Sequence, residues 1–117
     1  VSTVEKRLET DFVKWCQSKQ IVAIKGPVMT SKGFPDRFLQ LPKGGGTIYV
    51  EFKGTSYYDL TPLQRWWEEY LRASNPHRYF LVNNDEDLQH VKDMCEKFIR
   101  IGSILVDVEF NLLKEKL

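Results

Sequence analysis

Gly33-Phe34-Pro35-Asp36, then Pro42-Lys43-Gly44-Gly45-Gly46, then Val50-Glu51-Phe52-Lys53, is the stretch whose reading decides the fold. Two runs of strand character, Asp36 to Leu41 and Thr47 to Lys53, flank the glycine-rich segment. Glycine tolerates the positive φ that a hairpin loop needs, so Pro42 to Gly46 is the expected turn. A turn centred near Gly44 sets Asp36 and Glu51 nearly opposite one another on adjacent strands. Side chains alternate along a strand, so Glu51 and Lys53 share one face while Phe52 points to the other. Two carboxylates beside a lysine, where an apolar residue would fit more easily, point to metal-dependent cutting of phosphodiesters. A plainer reading has Asp36 capping a turn and Glu51 and Lys53 decorating a solvent face.

Working outward, Val4, Leu8, Phe12 and Trp15 recur at helical spacing, which predicts an amphipathic helix over Ser2 to Ser18 with Val4 buried. Ile21 to Ile24 reads as a short apolar strand and Pro27 to Lys32 as a polar loop. Beyond the hairpin, Gly54 to Leu60 reads as a loop with Tyr57 and Tyr58 at least half-exposed. Thr61-Pro62-Leu63-Gln64 combines an N-cap, proline at the first helical position and a capping-box glutamine. A helix should run from there to about Ala73, with Leu63, Trp66, Trp67, Tyr70 and Leu71 on a wide apolar face. Of the adjacent tryptophans, Trp66 is expected in the core. Asn75-Pro76 ends that helix, Arg78 to Val82 predicts a buried strand, and Asp85 to Arg100 a third helix. In the tail, Ile104, Val106, Val108 and Phe110 alternate as a strand does, while Leu105, Val108, Leu112 and Leu113 also suit a helix; strand then helix is the expectation. The order α-β-β-β-α-β-α gives an α/β sandwich, a mixed sheet flanked by helices.

At 117 residues the chain suits one domain, a core over 4–100 with an extension over 101–117. Its 42% apolar and 13% aromatic content are those of an ordinary globular protein, without a run of membrane-spanning length. No charged-then-apolar leader or low-complexity tract argues for secretion or a linker, so a cytoplasmic protein is expected. Cys16 and Cys95 match no paired-ligand spacing and read as buried free thiols. A net charge of +1 does not announce nucleic acid, so a DNA enzyme of this composition must gather its positive charge on one side.

Mg²⁺ takes oxygen ligands, commonly only one or two protein carboxylates plus substrate phosphate. Asp36 and Glu51 could supply these, with the backbone carbonyl of Phe52 as a third ligand. Lys53 would then orient the attacking water and stabilise developing negative charge. Glu5 suits two roles, a further acid reaching over the sheet edge or a first-turn carboxylate favoured by the helix dipole. Gln64 likewise suits both helix capping and contact with the reacting groups. Lys25, Lys32, Arg37, Lys43 and Arg65 could form a phosphate-contacting rim, which would position DNA without reading its sequence. His77 and His90 lack ligand spacing and are expected at the surface.

Together these residues resemble the VRR-NUC family, a branch of the PD-(D/E)xK nuclease superfamily, from about Val4 to Ile99. Val4-Glu5-Lys6 resembles the family's helix-one glutamate motif, and Ile24-Lys25 the strand before the catalytic hairpin. Gly33-Phe34-Pro35-Asp36-Arg37 is close to its Gly-Val-Pro-Asp-Arg signature, and Val50-Glu51-Phe52-Lys53 to its Val-Glu-Leu-Lys pattern. Leu60-Thr61-Pro62-Leu63-Gln64 is similar to its Leu-Ser-Pro-x-Gln motif. The chain departs in having Phe52 for leucine, and its tail beyond Gly102 has no counterpart. The resemblance implies a restriction-endonuclease-like fold and hydrolysis of DNA phosphodiesters with Mg²⁺ or Mn²⁺. It assigns the metal to Glu5, Asp36 and Glu51, catalysis to Lys53 and support to Gln64. Stand-alone members, often from phages and bacteria, are similar to homodimeric enzymes that cut branched DNA, Holliday junctions included. Two other readings stay open: a non-catalytic DNA- or protein-binding module on the same fold, and a restriction-like enzyme reading a short sequence.

Overall fold

The structure, a computed structural model, describes residues 3–27, 32–54 and 59–116. The readings at Ser2, at most of the Pro27 to Lys32 loop and at Tyr57 and Tyr58 lie outside the described residues. Seven elements follow in the expected order: α1 (Thr3–Ser18), β1 (Val22–Lys25), β2 (Arg37–Leu41), β3 (Gly46–Phe52), α2 (Pro62–Ser74), β4 (Tyr79–Val82) and α3 (Asp85–Glu115). The four strands form one sheet in the order β1-β2-β3-β4. The pairs β1–β2 and β2–β3 are antiparallel, and β4 joins β3 in parallel after the α2 crossover. This is a mixed α/β fold with a four-stranded mixed sheet flanked by helices.

Strand alternation sorts the side chains onto two faces. Leu39 and Leu41 of β2, Ile48, Val50 and Phe52 of β3, and Val82 of β4 meet Leu8, Phe12 and Cys16 of α1 and Leu88, Val91 and Cys95 of α3. The opposite face carries Tyr49, Tyr79 and Leu81 against Leu60, Trp67 and Leu71. Cys16 and Cys95 are buried free thiols as expected, and burial pushes both up to about 12. His77 and His90 are exposed. Arg7 of α1 forks onto both carboxylate oxygens of Asp85 at 2.9 and 3.0 Å, tying the starts of α1 and α3 together.

Three packing expectations are corrected. Val4 is exposed, because the apolar stripe of α1 that reaches the sheet begins only at Leu8. The tryptophans exchange roles: Trp67 packs edge-on against Phe34 at 4.9 Å, whereas Trp66 is exposed and stacks on Tyr70. Leu63 and Tyr70 are exposed with it, so the apolar face of α2 is narrower than its composition suggests.

The larger correction is the tail. Instead of ending at Arg100 and giving way to a strand, α3 continues unbroken to Glu115. A new strand would need a sheet edge to satisfy its peptide groups, whereas a helix satisfies them within itself. At 31 residues α3 is about 46 Å long at 1.5 Å per residue. The molecule measures 56 × 28 × 24 Å, so the end of α3 projects as an arm. Among the described residues no helix is long and apolar enough to cross a membrane.

Gly102 makes the long helix compatible with the hairpin turn. A Cβ there would lie 2.4 Å from both the carbonyl carbon and the oxygen of Gly44 and 2.7 Å from the Gly45 nitrogen, all backbone atoms. Gly102→Ala should therefore destabilise by about 1–3 kcal/mol, overcoming the roughly 1 kcal/mol that alanine ordinarily adds inside a helix. Urea midpoints measure this, and a stabilised variant would disprove the close crossing.

Candidate active site

The β2–β3 register pairs Arg37 with Val50, which brings Asp36 opposite Glu51 where the ladder ends. The main chain and carboxylates interlock there. The Asp36 N–H donates to Glu51 Oε1 at 3.1 Å, and the Phe52 N–H donates to Asp36 Oδ2 at 2.9 Å. On β3 the Lys53 N–H donates to the Val82 carbonyl at 2.8 Å, extending the parallel pairing by one residue. Successive peptide groups point to opposite sides of a strand, so the Phe52 carbonyl shares the β2-facing side with its own N–H. Phe52 itself is in the core, and Glu51 lies on the opposite face, as the alternation predicts.

Gln64 performs both expected roles. Its Oε1 accepts from the Thr61 N–H at 2.9 Å, and Thr61 Oγ1 accepts from the Gln64 N–H at 3.2 Å, a complete capping box. The remaining amide nitrogen, Nε2, donates to Glu51 Oε2 at 2.8 Å. One side chain thus starts α2 and holds the buried acid. Gly33 lets the preceding loop lie against this turn. It has φ +83°, and a Cβ would sit 2.6 Å from the Leu63 carbonyl carbon. Gln64→Ala should cost about 1–2 kcal/mol, since it opens half the capping box and leaves Glu51 short of a donor. Thermal unfolding of the variant measures this, and an unchanged midpoint would show that the Glu51 contact carries little.

Glu51 is 2% exposed, the one buried charged residue of the described core. Burial, and secondarily the charge of Asp36, pushes its carboxyl up to about 8. Asp36 is also raised, first by burial. The two carboxyls act on each other, the contact lowering Asp36 and raising Glu51. Glu5, on the first turn of α1, is raised by burial and then by Asp36, with Lys53 pulling the other way. It therefore lies within electrostatic reach of both groups.

The expected gathering of Glu5, Asp36 and Glu51 as three ligands of one ion is not met as a ready-made set. Among the described residues no three His, Cys, Asp or Glu side chains stand where they could hold a metal by themselves. What the fold brings together is the Asp36–Glu51 pair. Its hydrogen bonds do not exhaust the two lone pairs of each carboxylate oxygen, so both acids retain acceptor capacity. A buried and a half-buried carboxylate, both resisting ionisation, fit a divalent cation, which commonly takes only one or two protein carboxylates.

The basic rim divides. Lys25, Lys32 and Gln64 line a cavity of about 370 Å³ together with Gly33, Pro35 and Asp36, so both lysines border Asp36. Arg65 is exposed in the first turn of α2. Arg37 does not belong to the rim: alternation turns it towards α1, where its Nε donates to Glu9 Oε2 at 2.8 Å. Lys43 does not either. It occupies the hairpin turn, roughly 20 Å along the strands from Glu51 at 3.3 Å per residue. There it borders a larger cavity of about 530 Å³ with Lys19 and Arg100, remote from the acids.

Glu9 is the residue that the sequence reading passed over. It accepts from Arg37 and, at 3.4 Å, from Lys25, and it raises both Asp36 and Glu5. The available signal was its spacing of four from Glu5, which puts both acids on one helix face. Comparison with known proteins finds no matching family model and no similar curated sequence.

Proposed function

We propose that this chain is a divalent-metal-dependent DNA endonuclease with a restriction-endonuclease-like fold, hydrolysing phosphodiester bonds in branched DNA such as a four-way junction. The observation that carries this reading is half-buried Asp36 opposite buried Glu51, fixed by the Phe52 N–H and the Gln64 amide, with Lys25 and Lys32 bordering the cavity at Asp36. Asp36, Glu51 and the Phe52 carbonyl would hold Mg²⁺ or Mn²⁺, with Glu5 adding negative charge from α1. A divalent ion in such a site polarises a phosphate and lowers the pKa of bound water, supplying a nucleophile at neutral pH.

The remaining work falls to the chain. Lys53 lies one residue past β3, two after Glu51, where its ammonium would orient the water and offset charge developing on the phosphate. Gln64 keeps Glu51 in place. Lys25, Lys32 and Arg65 contact the DNA backbone without reading bases. A non-catalytic binding module has less support, since buried carboxylates facing phosphate repel the ligand unless a cation intervenes. A restriction-like reader would need a recognition surface for base edges, and no described residue is assigned to one.

The deciding experiment offers end-labelled duplex, flap, splayed and four-way DNA to the protein with Mg²⁺, Mn²⁺ or EDTA. Metal-dependent cutting of branched over linear DNA is expected, and no cleavage of any substrate with either metal overturns the proposal. A consensus among cuts in a random linear library would instead assign sequence-specific cleavage.

A further inference from the structure

The first turns of α2 carry an aromatic surface close to the acids. Leu63, Trp66 and Tyr70 are 52%, 54% and 54% exposed. At 3.6 residues per turn they fall within about 60° of arc, a single stripe of the helix. The rings of Trp66 and Tyr70 lie parallel, 4° apart with centroids at 5.4 Å. Trp67 meets both edge-on, at 5.1 and 5.9 Å, and is itself seated against Phe34. The exposed pair is thus held in one arrangement, which lowers the ordering cost of anything that stacks on it.

This stripe is continuous with the candidate active site. Gln64, whose amide holds Glu51, lies only about 3 Å from Trp66 and 9 Å from Tyr70 along the helix axis, at 1.5 Å per residue. Leu63 borders a cavity with Lys32, Gly33 and Gln64, and those three also line the cavity at Asp36. Phe34, the ring on which Trp67 packs, lines that second cavity too. Cations for phosphates beside flat rings for bases are the combination by which proteins hold single-stranded nucleic acid.

We propose that Trp66 and Tyr70 form a stacking platform for unpaired nucleobases, on a DNA strand whose phosphates pass Lys32 towards Asp36. A protein partner would also cover exposed aromatic side chains, but the lysines that adjoin this stripe favour a polyanion. Resting on the nuclease reading, the platform narrows its substrate. Bases inside a duplex already stack on one another and present no free face. A flap or splayed arm should therefore gain affinity from Trp66 and Tyr70, whereas a fully paired four-way junction gains none.

Anisotropy titrations in EDTA, where nothing is cut, test this with labelled oligothymidylate and an abasic strand of equal length. The base-bearing strand should bind about tenfold more tightly than the abasic one. Trp66→Leu with Tyr70→Leu, at exposed positions, should abolish that difference without changing abasic binding or the helical circular dichroism. Trp66→Phe with Tyr70→Phe should keep most of it, because a flat ring remains at each place. Equal binding of the two strands by the wild type, or a base preference that survives the double leucine variant, overturns the inference. So does an equal loss in the leucine and phenylalanine variants, which would deny stacking as the cause. A protein that cuts branched DNA with no contribution from Trp66 and Tyr70 keeps the nuclease reading and loses the platform. Base-dependent binding by a protein that cuts nothing does the reverse.

Discussion

Lys53→Ala should lower the rate of branched-DNA cleavage by about 10²–10³-fold or more, the range for removing one preorganised group that stabilises developing charge. Folding should be almost untouched. The Lys53 side chain is only half-buried, and its structural contact, the hydrogen bond to the Val82 carbonyl, comes from the backbone N–H that alanine keeps. Asp36→Asn is the companion variant. Its amide oxygen still accepts from the Phe52 N–H, so it withdraws charge from the site without orphaning a buried donor. Both variants should bind junction DNA while failing to cut it with Mg²⁺ or Mn²⁺. Full activity in Lys53→Ala would end the nuclease proposal.

The second large effect is on stability, and its sign is opposite to that of most proteins with paired carboxylates. Glu51 holds its proton to about pH 8 in the folded chain but would release it near its ordinary value of 4.5 when unfolded. The folded state therefore binds more protons than the unfolded state between those values. In EDTA, stability should be greatest below about pH 4.5 with respect to this group and fall as pH rises towards 8. Asp36, raised in the same direction, adds to the fall. Asp85, lowered by its hydrogen bonds to Arg7, acts with the opposite sign, but at pH below the ordinary aspartate value and outside this window.

A tenfold difference in proton affinity between the folded and unfolded chain is worth about 1.4 kcal/mol, so the loss across the window is on the order of a few kcal/mol. Glu51→Gln should flatten the slope and make the metal-free protein more stable at pH 8. On the proposed function Mg²⁺ or Mn²⁺ would bind the ionised pair only in the folded state, so excess metal should restore wild-type stability at high pH and do little for Glu51→Gln. Urea midpoints from pH 5 to 8.5, in EDTA and in metal, measure all of this. Wild-type stability that climbs with pH in EDTA would contradict the buried-pair account.

These expectations rest on elements of unequal legibility. The hairpin was readable because turn chemistry and alternation are local: Pro42 to Gly46 places the reversal, and that alone brings Asp36 opposite Glu51. The start of α2 was readable for the same reason, since Thr61, Pro62 and Gln64 form a motif within four residues. So was the order of the seven elements, each announced by its own periodicity and breakers.

What the sequence could not decide was where long side chains go once faces are assigned, and which of two periods an apolar run obeys. Lys25 and Arg37 are cross-strand partners on one face and both meet Glu9, but only Arg37 is held closely, at 2.8 Å against 3.4 Å. Trp66 and Trp67 are the same residue type one position apart, and only the way α2 meets the sheet half-buries the second. Glu5 comes within electrostatic reach of Asp36 because α1 packs on β1 and β3, an influence spanning about thirty residues of chain. From Ile104 to Phe110 the letters satisfy both strand and helix, and no sheet edge pairs them, so the helix prevails. Local chemistry thus determined the hairpin, the cap and the chain's order. The long-range packing of α1, α2 and α3 on the sheet decided which acid is buried, which cations border Asp36 and which apolar side chains stay exposed, because those outcomes depend on distances between segments that no local pattern encodes.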